Sequence, residues 1–405
     1  MPAAPPPTAA GARLGWADAA KGVCILLVVL HHVTVKHLPS VAPPELAGVV
    51  EGWAALTAAL KPIRMPLFFL LSGLFAAGAV RRPWSQVLTS RVLNPYWVYA
   101  VWLGLLAVVF SVERTLVMNR TQGLGDLVAD LAFASTGVWF LYALAVYFVL
   151  AKLLLPLDVR PVVAASALLA VSVSALPMAD ANREAVLVHF VYFLLGARLP
   201  ELVRLLADRR RPATPLLLGG YVVAASVLAR LGTPLSVEVT TLSVLGVPLA
   251  VRAARALTEL PRLGTAAARL GRRTLPVYVL HMPVLAVVHH LPGPEQVLAR
   301  VGTHLSWAAP VVVAAYPLLL TAAVTVTSLA LHRALLAAGL DGLFALPASL
   351  RTEPETLRRA AVRARAEVRS FGRPGALAGR WTVRPDSRLT ADPPSHGVTR
   401  VLAIR

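Results

Sequence analysis

The chain alternates long apolar runs with short polar breaks that carry most of its arginines. Apolar runs occupy about 17–37, 63–80, 95–112, 138–156, 161–177, 185–200, 213–231, 235–251, 274–291 and 308–333. Each is close to the roughly 20 residues that a helix needs to cross a hydrocarbon core. No water is available there to bond the backbone, so such runs fold as helices. The pattern predicts an all-α integral membrane protein, a bundle of about ten transmembrane helices. Spans five to eight have the least defined ends, because Pro and Gly interrupt them. Flanking the membrane domain at 13–335 are two polar segments. Residues 1–12 form a Pro- and Ala-rich arm, and 336–405 an Arg-rich cytoplasmic tail; both are expected to be largely disordered.

Composition strengthens this picture. Hydrophobic residues make up 57% and charged residues 15%, against about 25% charged in a soluble domain. Mean hydropathy is +0.69. The net charge of +19, from 39 Lys and Arg against 20 Asp and Glu, would suggest nucleic acid in a soluble protein. Here the basic residues lie between apolar runs and in the tail, as in loops facing an anionic leaflet. The partner implied is the lipid bilayer, with no nucleic acid.

Orientation follows from the same residues. With the N-terminus cytoplasmic, the inner loops hold 18 Lys and Arg before the tail is counted. The outer set is Lys36, Lys61, Arg64, Arg114, Arg120, Arg183, Arg230 and Arg300, which is 8. An even number of spans then places both termini in the cytoplasm, in a multi-pass cell-membrane protein. The first run has no small-residue cleavage site after it and reads as a retained helix. Cys24 is the single cysteine, so no intrachain disulfide forms.

Ionisable groups at membrane depth are costly and are functional candidates. The first span supplies Asp18, Lys21, His31 and His32. Eleven positions separate Lys21 from His32, about 20° past three turns with a rise of about 16 Å, so both share one helix face. Asp18, three residues before Lys21, is placed to pair with it. A neutral imidazole can take a proton from a hydroxyl near neutral pH. A single span histidine also reads as a satisfied interfacial side chain, and spacing alone leaves both readings open. Ser72-Gly73 suits close helix approach. Trp139 fits an aromatic belt as well as a binding wall. His281 and His189 lie inside apolar runs and need a partner or a polar cavity. No His/Asp/Glu cluster has metal-ligand spacing, so no metal is implied.

Taken together, these segments resemble the membrane-bound acyltransferase-3 family, O-acyltransferases acting on surface polysaccharides and related acceptors. Arg13–His32 (RLGWADAAKGVCILLVVLHH) is similar to the family's opening, with a basic residue, ten residues and a His at Lys21 and His32. MPLFFLLSGLF at 65–75, WFLYAL at 139–144 and YVLHMPVL at 278–285 resemble its second-span, fourth-span and late-span motifs, in the same order. One departure stands out. Where many members carry Arg-x-x-Arg after the second span, this chain has Arg91 followed by Asn94, with Arg81 and Arg82 upstream.

The resemblance implies transfer of an acyl group, most simply acetyl, from acyl-CoA to a hydroxyl of a carbohydrate or lipid-linked glycan. It implies His32, Lys21 and Asp18 as catalytic residues, with His32 a general base or a transient acyl acceptor. Arg91, Ser72, Trp139 and His281 become substrate-binding candidates. Acyl-CoA is then a co-substrate, with no resident cofactor. A different class remains open: intramembrane His and Lys also suit a proton-coupled transporter or flippase of a glycan or lipid.

Overall fold

In the computed structural model the described residues are 14–116, 118–134, 136–175, 181–207, 214–292, 307 and 309–351. The arm 1–12 and the tail beyond 351 lie outside the described residues. Every element among the described residues is helical. The apolar segments are α1 Gly15–Val41, α2 Pro44–Val80, α3 Trp84–Val112, α4 Trp139–Leu153, α5 Val159–Ala175, α6 Asn182–Arg198, α7 Thr214–Leu231, α8 Leu235–Leu257, α9 Thr274–His289 and α10 Ala309–Ala337.

Six of these, α1, α2, α3, α7, α8 and α10, are long and apolar enough to cross a membrane. A seventh is α6 if it is joined with Pro200–Leu206, which leaves it at 95°. The break falls at Leu199, because the residue before a proline is disfavoured in helical conformation. Segments α4, α5 and α9 are apolar but shorter. On α7, Leu216, Val222, Val223 and Val227 are exposed on the outside of the bundle. Lipid is the solvent that such a face fits. The chain is a multi-pass membrane protein.

Helix α1 sits between two cores. Its first half, with Trp16, Ala17, Ala20 and Cys24, packs with α2, α4, α6 and α8. Its second half, with Ile25, Val28, Val29 and Val33, packs with α3, α9 and α10. Close backbone approach fixes its first half. A Cβ on Gly22 would overlap the Ala267 carbonyl, and one on Gly271 would overlap the Asp18 carbonyl. Only glycines let α1 and the helix Pro261–Gly271 touch in this way. Gly73 of α2 and Gly196 of α6 make a similar contact, which is the use of the Ser72-Gly73 pair in packing.

Two stretches differ from the pattern read from hydropathy. The region 37–62 reads as an outer loop, but helix continues to Val41 and resumes at Ala47–Ala59. Pro43-Pro44 makes the single sharp break, and Trp53 donates to the Ala314 carbonyl of α10 at 3.2 Å. In the same region Arg64, counted above among outer-loop charges, is buried within α2 and donates to Thr57 O at 3.2 Å. Residues 338–351 also pack on the bundle. Trp97 and Trp102 donate to the Gly342 and Leu343 carbonyls at 2.8 and 2.7 Å, and Asn94 accepts from Leu346 N at 2.9 Å. An indole N–H buried in an apolar setting needs such a partner.

Just past α3, Glu113 organises a polar turn. Its carboxylate accepts from the Thr115 and Leu116 amides at 2.7 and 3.0 Å and pairs with Arg120 at 3.4 Å. Burial pushes this carboxyl up, but the Thr115 hydroxyl, the two amides and Arg120 outweigh burial and hold it at about 2. A depressed carboxylate stabilises the fold above its ordinary value and loses that contribution as pH falls through its folded value. Thermal stability is therefore expected to decline between pH 4.5 and about 2. Glu113→Gln should flatten that decline, as followed by light-scattering melts in detergent; an unchanged slope would rule the turn out.

Candidate active site

The site is strung along α1. At its N-terminal end Asp18 binds Lys21 at 3.1 Å and Arg272 at 3.7 Å. Lys21 also lies over the Phe75 ring at 4.3 Å. Beside it opens a cavity of about 310 Å³, lined by Lys21, Ser72, Phe75, Ser90, Arg91, Asn94, Phe140 and Tyr278 among others. Arg91 occupies a wide helical turn, Thr89–Leu93, that closes when Asn94 N–H bonds to Thr89 O. Such π turns recur at functional sites. The cavity thus presents two cations, four hydroxyls (Ser72, Ser90, Thr274 and Tyr278) and an amide on otherwise apolar walls.

Further along α1, His32 meets His281 of α9. His281 Nε2 and His32 Nδ1 lie 2.9 Å apart, and the rings stack. His281 Nδ1 lies 2.7 Å from the Tyr278 carbonyl and 3.1 Å from the Val277 carbonyl. Carbonyls only accept, so this nitrogen carries the proton. In the neutral ring His281 Nε2 is then an acceptor, and His32 Nδ1–H must be its donor. That leaves the lone pair of His32 on Nε2. The hydrogen-bond pattern thus sets the tautomer of a histidine able to take a proton from a substrate hydroxyl.

The structure brings Lys21, Ser72 and Arg91 into one cavity, with Asp18 behind Lys21. It separates other expected residues from them. His32 and His281 do not line the cavity; they form their own pair further along α1. His281, expected to bind substrate, lies with its Nδ1 on the Tyr278 carbonyl and its Nε2 on His32. Trp139, also expected in the binding wall, packs against Phe69 and His189, and its neighbour Phe140 takes the place on the cavity. Adjacent positions on α4 point about 100° apart, which separates the two faces. Asn94, where the resemblance would have a second Arg, is partly committed to holding Leu346. Arg81 and Arg82 are exposed and do not line the cavity. Arg272 pairs with Asp18.

Two residues escaped the reading of spacing. Tyr278 accepts the Phe140 amide at 3.2 Å and donates to Gly137 O at 2.8 Å, tying α9 to the start of α4 beside the cavity. Buried Arg64 lies within electrostatic range of His31, His32 and Cys24. The signal for Arg64 was present, since a guanidinium directly before MPLFF is costly in an apolar run.

The site is thus a histidine pair within the helices and a separate cavity carrying two cations, and comparison with known proteins gives the family of the chain. The family model described as an acyltransferase domain, that of acyltransferase-3, matches residues 14–332. The chain belongs to this family. It is also similar to the inner membrane protein YcfT of Escherichia coli (strain K12), 31% identical over 197 residues, which is 45% of this chain and 55% of YcfT. The match therefore spans about half the length of that relative. No solved structure matches the chain.

Proposed function

We propose that this protein is an O-acyltransferase that moves an acyl group, most simply acetyl, from acyl-CoA to a hydroxyl of a carbohydrate or lipid-linked glycan. The observation that carries the reading is the His281–His32 tautomer chain, which leaves a lone pair on His32 Nε2. A scaffold has no need of that arrangement.

The donor fits the Lys21 cavity. Its phosphates are anionic, and Arg91 and Lys21 supply cations to the cavity lining. The thioester must reach His32, about 16 Å further along the helix. The extended pantetheine arm is the part of acyl-CoA built to cover such a gap. His32 Nε2 takes the acceptor proton as its oxygen attacks the thioester carbonyl. The C–S bond breaks, and its electron pair leaves on the CoA sulfur. Lys36 and Arg64 lie within electrostatic range of His32, and a cation so placed would stabilise the developing oxyanion.

The basic-residue count supports ten spans with both termini cytoplasmic, and the long spans, the bent pair and the three shorter apolar helices together supply enough segments. In this orientation the Lys21 cavity would face cytosolic CoA. A reporter fused after Arg405 should then read as cytoplasmic, and one inserted at Pro43 as external. A C-terminus outside the cytoplasm would remove an odd number of spans and overturn the map.

The test of function is direct. Vesicles holding the protein should release free CoA thiol from acetyl-CoA when envelope extract supplies the acceptor. Envelope glycans or lipids from cells with the protein should gain one acyl mass over cells without it. A transporter or flippase would give no thiol. Arg91→Ala should raise KM for acetyl-CoA about tenfold, the loss of one charge-assisted phosphate contact, with kcat little changed. An unchanged KM would remove Arg91 from the donor site.

A further inference from the structure

A second histidine pair lies beyond the first on the same two helices. His37 of α1 is fully buried. Its Nδ1 lies 3.0 Å from His289 Nδ1 of α9, and its Nε2 lies 2.7 Å from the Tyr316 hydroxyl of α10. The pair leads to the surface. The His289 and His290 rings are 5.7 Å apart, and half-exposed His290 stands 3.4 Å from Glu113. Arg120 and Lys36 are the other charges on this side. On the helix Ala47–Ala59, packed against the same turn, Glu51 is exposed. Among the described residues no three His, Cys, Asp or Glu groups converge to hold a metal ion.

Local geometry aligns the two pairs. Residues Val33–His37 form a π turn, with Leu38 N–H bonded to Val33 O. In an α-helix five positions place two side chains about 140° apart. The wider turn, with its i→i+5 bonds, brings His37 back toward the face that carries His32. Both nitrogens of His37 are engaged, so a proton accepted at one can leave from the other.

We infer that His37, His289 and Tyr316 form a proton relay from the His32–His281 pair to the membrane face at Glu113 and His290. This rests on the acyltransferase reading. The acceptor O–H proton passes to His32 Nε2 as the new ester bond forms. It then moves to His37, bridged by water or by acceptor hydroxyls, and leaves through His289 and His290. The CoA thiolate takes its own proton on the Lys21 side. Each turnover thus releases one proton at the His290 end and consumes one at the other, and His32 is reset without a charge trapped in the bundle.

Two arms test this on the full chain in phospholipid vesicles. The first needs no turnover. Hydrogen–deuterium exchange at histidine C2 proceeds through the imidazolium, whose C2–H a solvent base removes, so it requires both protonation of the ring and a water path to it. His37, although buried, should exchange within an order of magnitude of exposed His290, and Tyr316→Phe or His289→Gln should slow it. A His37 that stays silent while His290 exchanges overturns the relay. The second arm is turnover. His37→Ala should lose at least about tenfold in acyl transfer at normal membrane abundance, and added imidazole should restore most of it. A loss that imidazole leaves untouched, or no loss, overturns the relay. Absence of thiol release by the unaltered protein sinks the acyltransferase reading instead, and the exchange arm still decides the proton path.

Discussion

His32→Ala is expected to abolish acyl transfer, a fall of about 10²–10⁴-fold, with the protein at normal abundance in the membrane. The expectation rests on the single lone pair that the His281–His32 hydrogen bond leaves at Nε2. His281→Ala removes the acceptor of His32 Nδ1–H and frees the ring to change tautomer. His281 acts through His32, so its loss should lower kcat on the order of 10²-fold with KM for acetyl-CoA unchanged, and should displace the pH profile. Lys21→Ala leaves Asp18 with Arg272 alone and should rank next below His32→Ala, with Lys21→Arg milder. His31 points about 100° away from His32 on α1, and its Nδ1 has no hydrogen-bond partner among the described residues. His31→Ala should therefore cost much less. An essential His31 beside a dispensable His32 would show the register to be wrong. If both were dispensable, the transporter reading would take over.

Gly22→Val is expected to deplete the folded protein altogether. Even the first carbon of the new side chain overlaps the Ala267 carbonyl, and its neighbours are backbone atoms that cannot swing aside. Separating α1 from Pro261–Gly271 would also pull Asp18 from Arg272 and open the core that α1 joins. Losses above about 4–5 kcal/mol come from such mechanisms, a large part of a stability of about 5–15 kcal/mol. Gly271→Val should behave alike. Gly15→Ala on the same helix meets open space and serves as the neutral control. The readout is the monodisperse fraction in fluorescence-detected size exclusion. A Gly22→Val protein that remains monodisperse at normal yield would mean that the two helices do not touch there.

Much of this protein is legible in its sequence because lipid imposes a strict rule. Backbone in a hydrocarbon core must bond to itself, so apolar length by itself determined that the chain is helical and crosses the membrane several times, with six of the described helices long and apolar enough to do so. Helical periodicity determined that Asp18 pairs with Lys21 and that Lys21 and His32 share a face, since both relations lie within one element. The limits appear where a contact joins two elements. Hydropathy averages could not see that 47–59 is helical, because an apolar helix on the bundle flank and an apolar loop have similar composition. They could not show Arg64 buried, since loop counting assigns every cation to water. They pointed to Trp139 for the binding wall, whereas packing puts its neighbour Phe140 on the cavity. The partner of His32 was decided only by the tertiary structure. His32 and His281 are 249 residues apart, and no local period relates them. Whether a histidine in an apolar run is a spectator or a base depends on which atom faces each ring nitrogen, and here the packing of α1 against α9 supplies that atom.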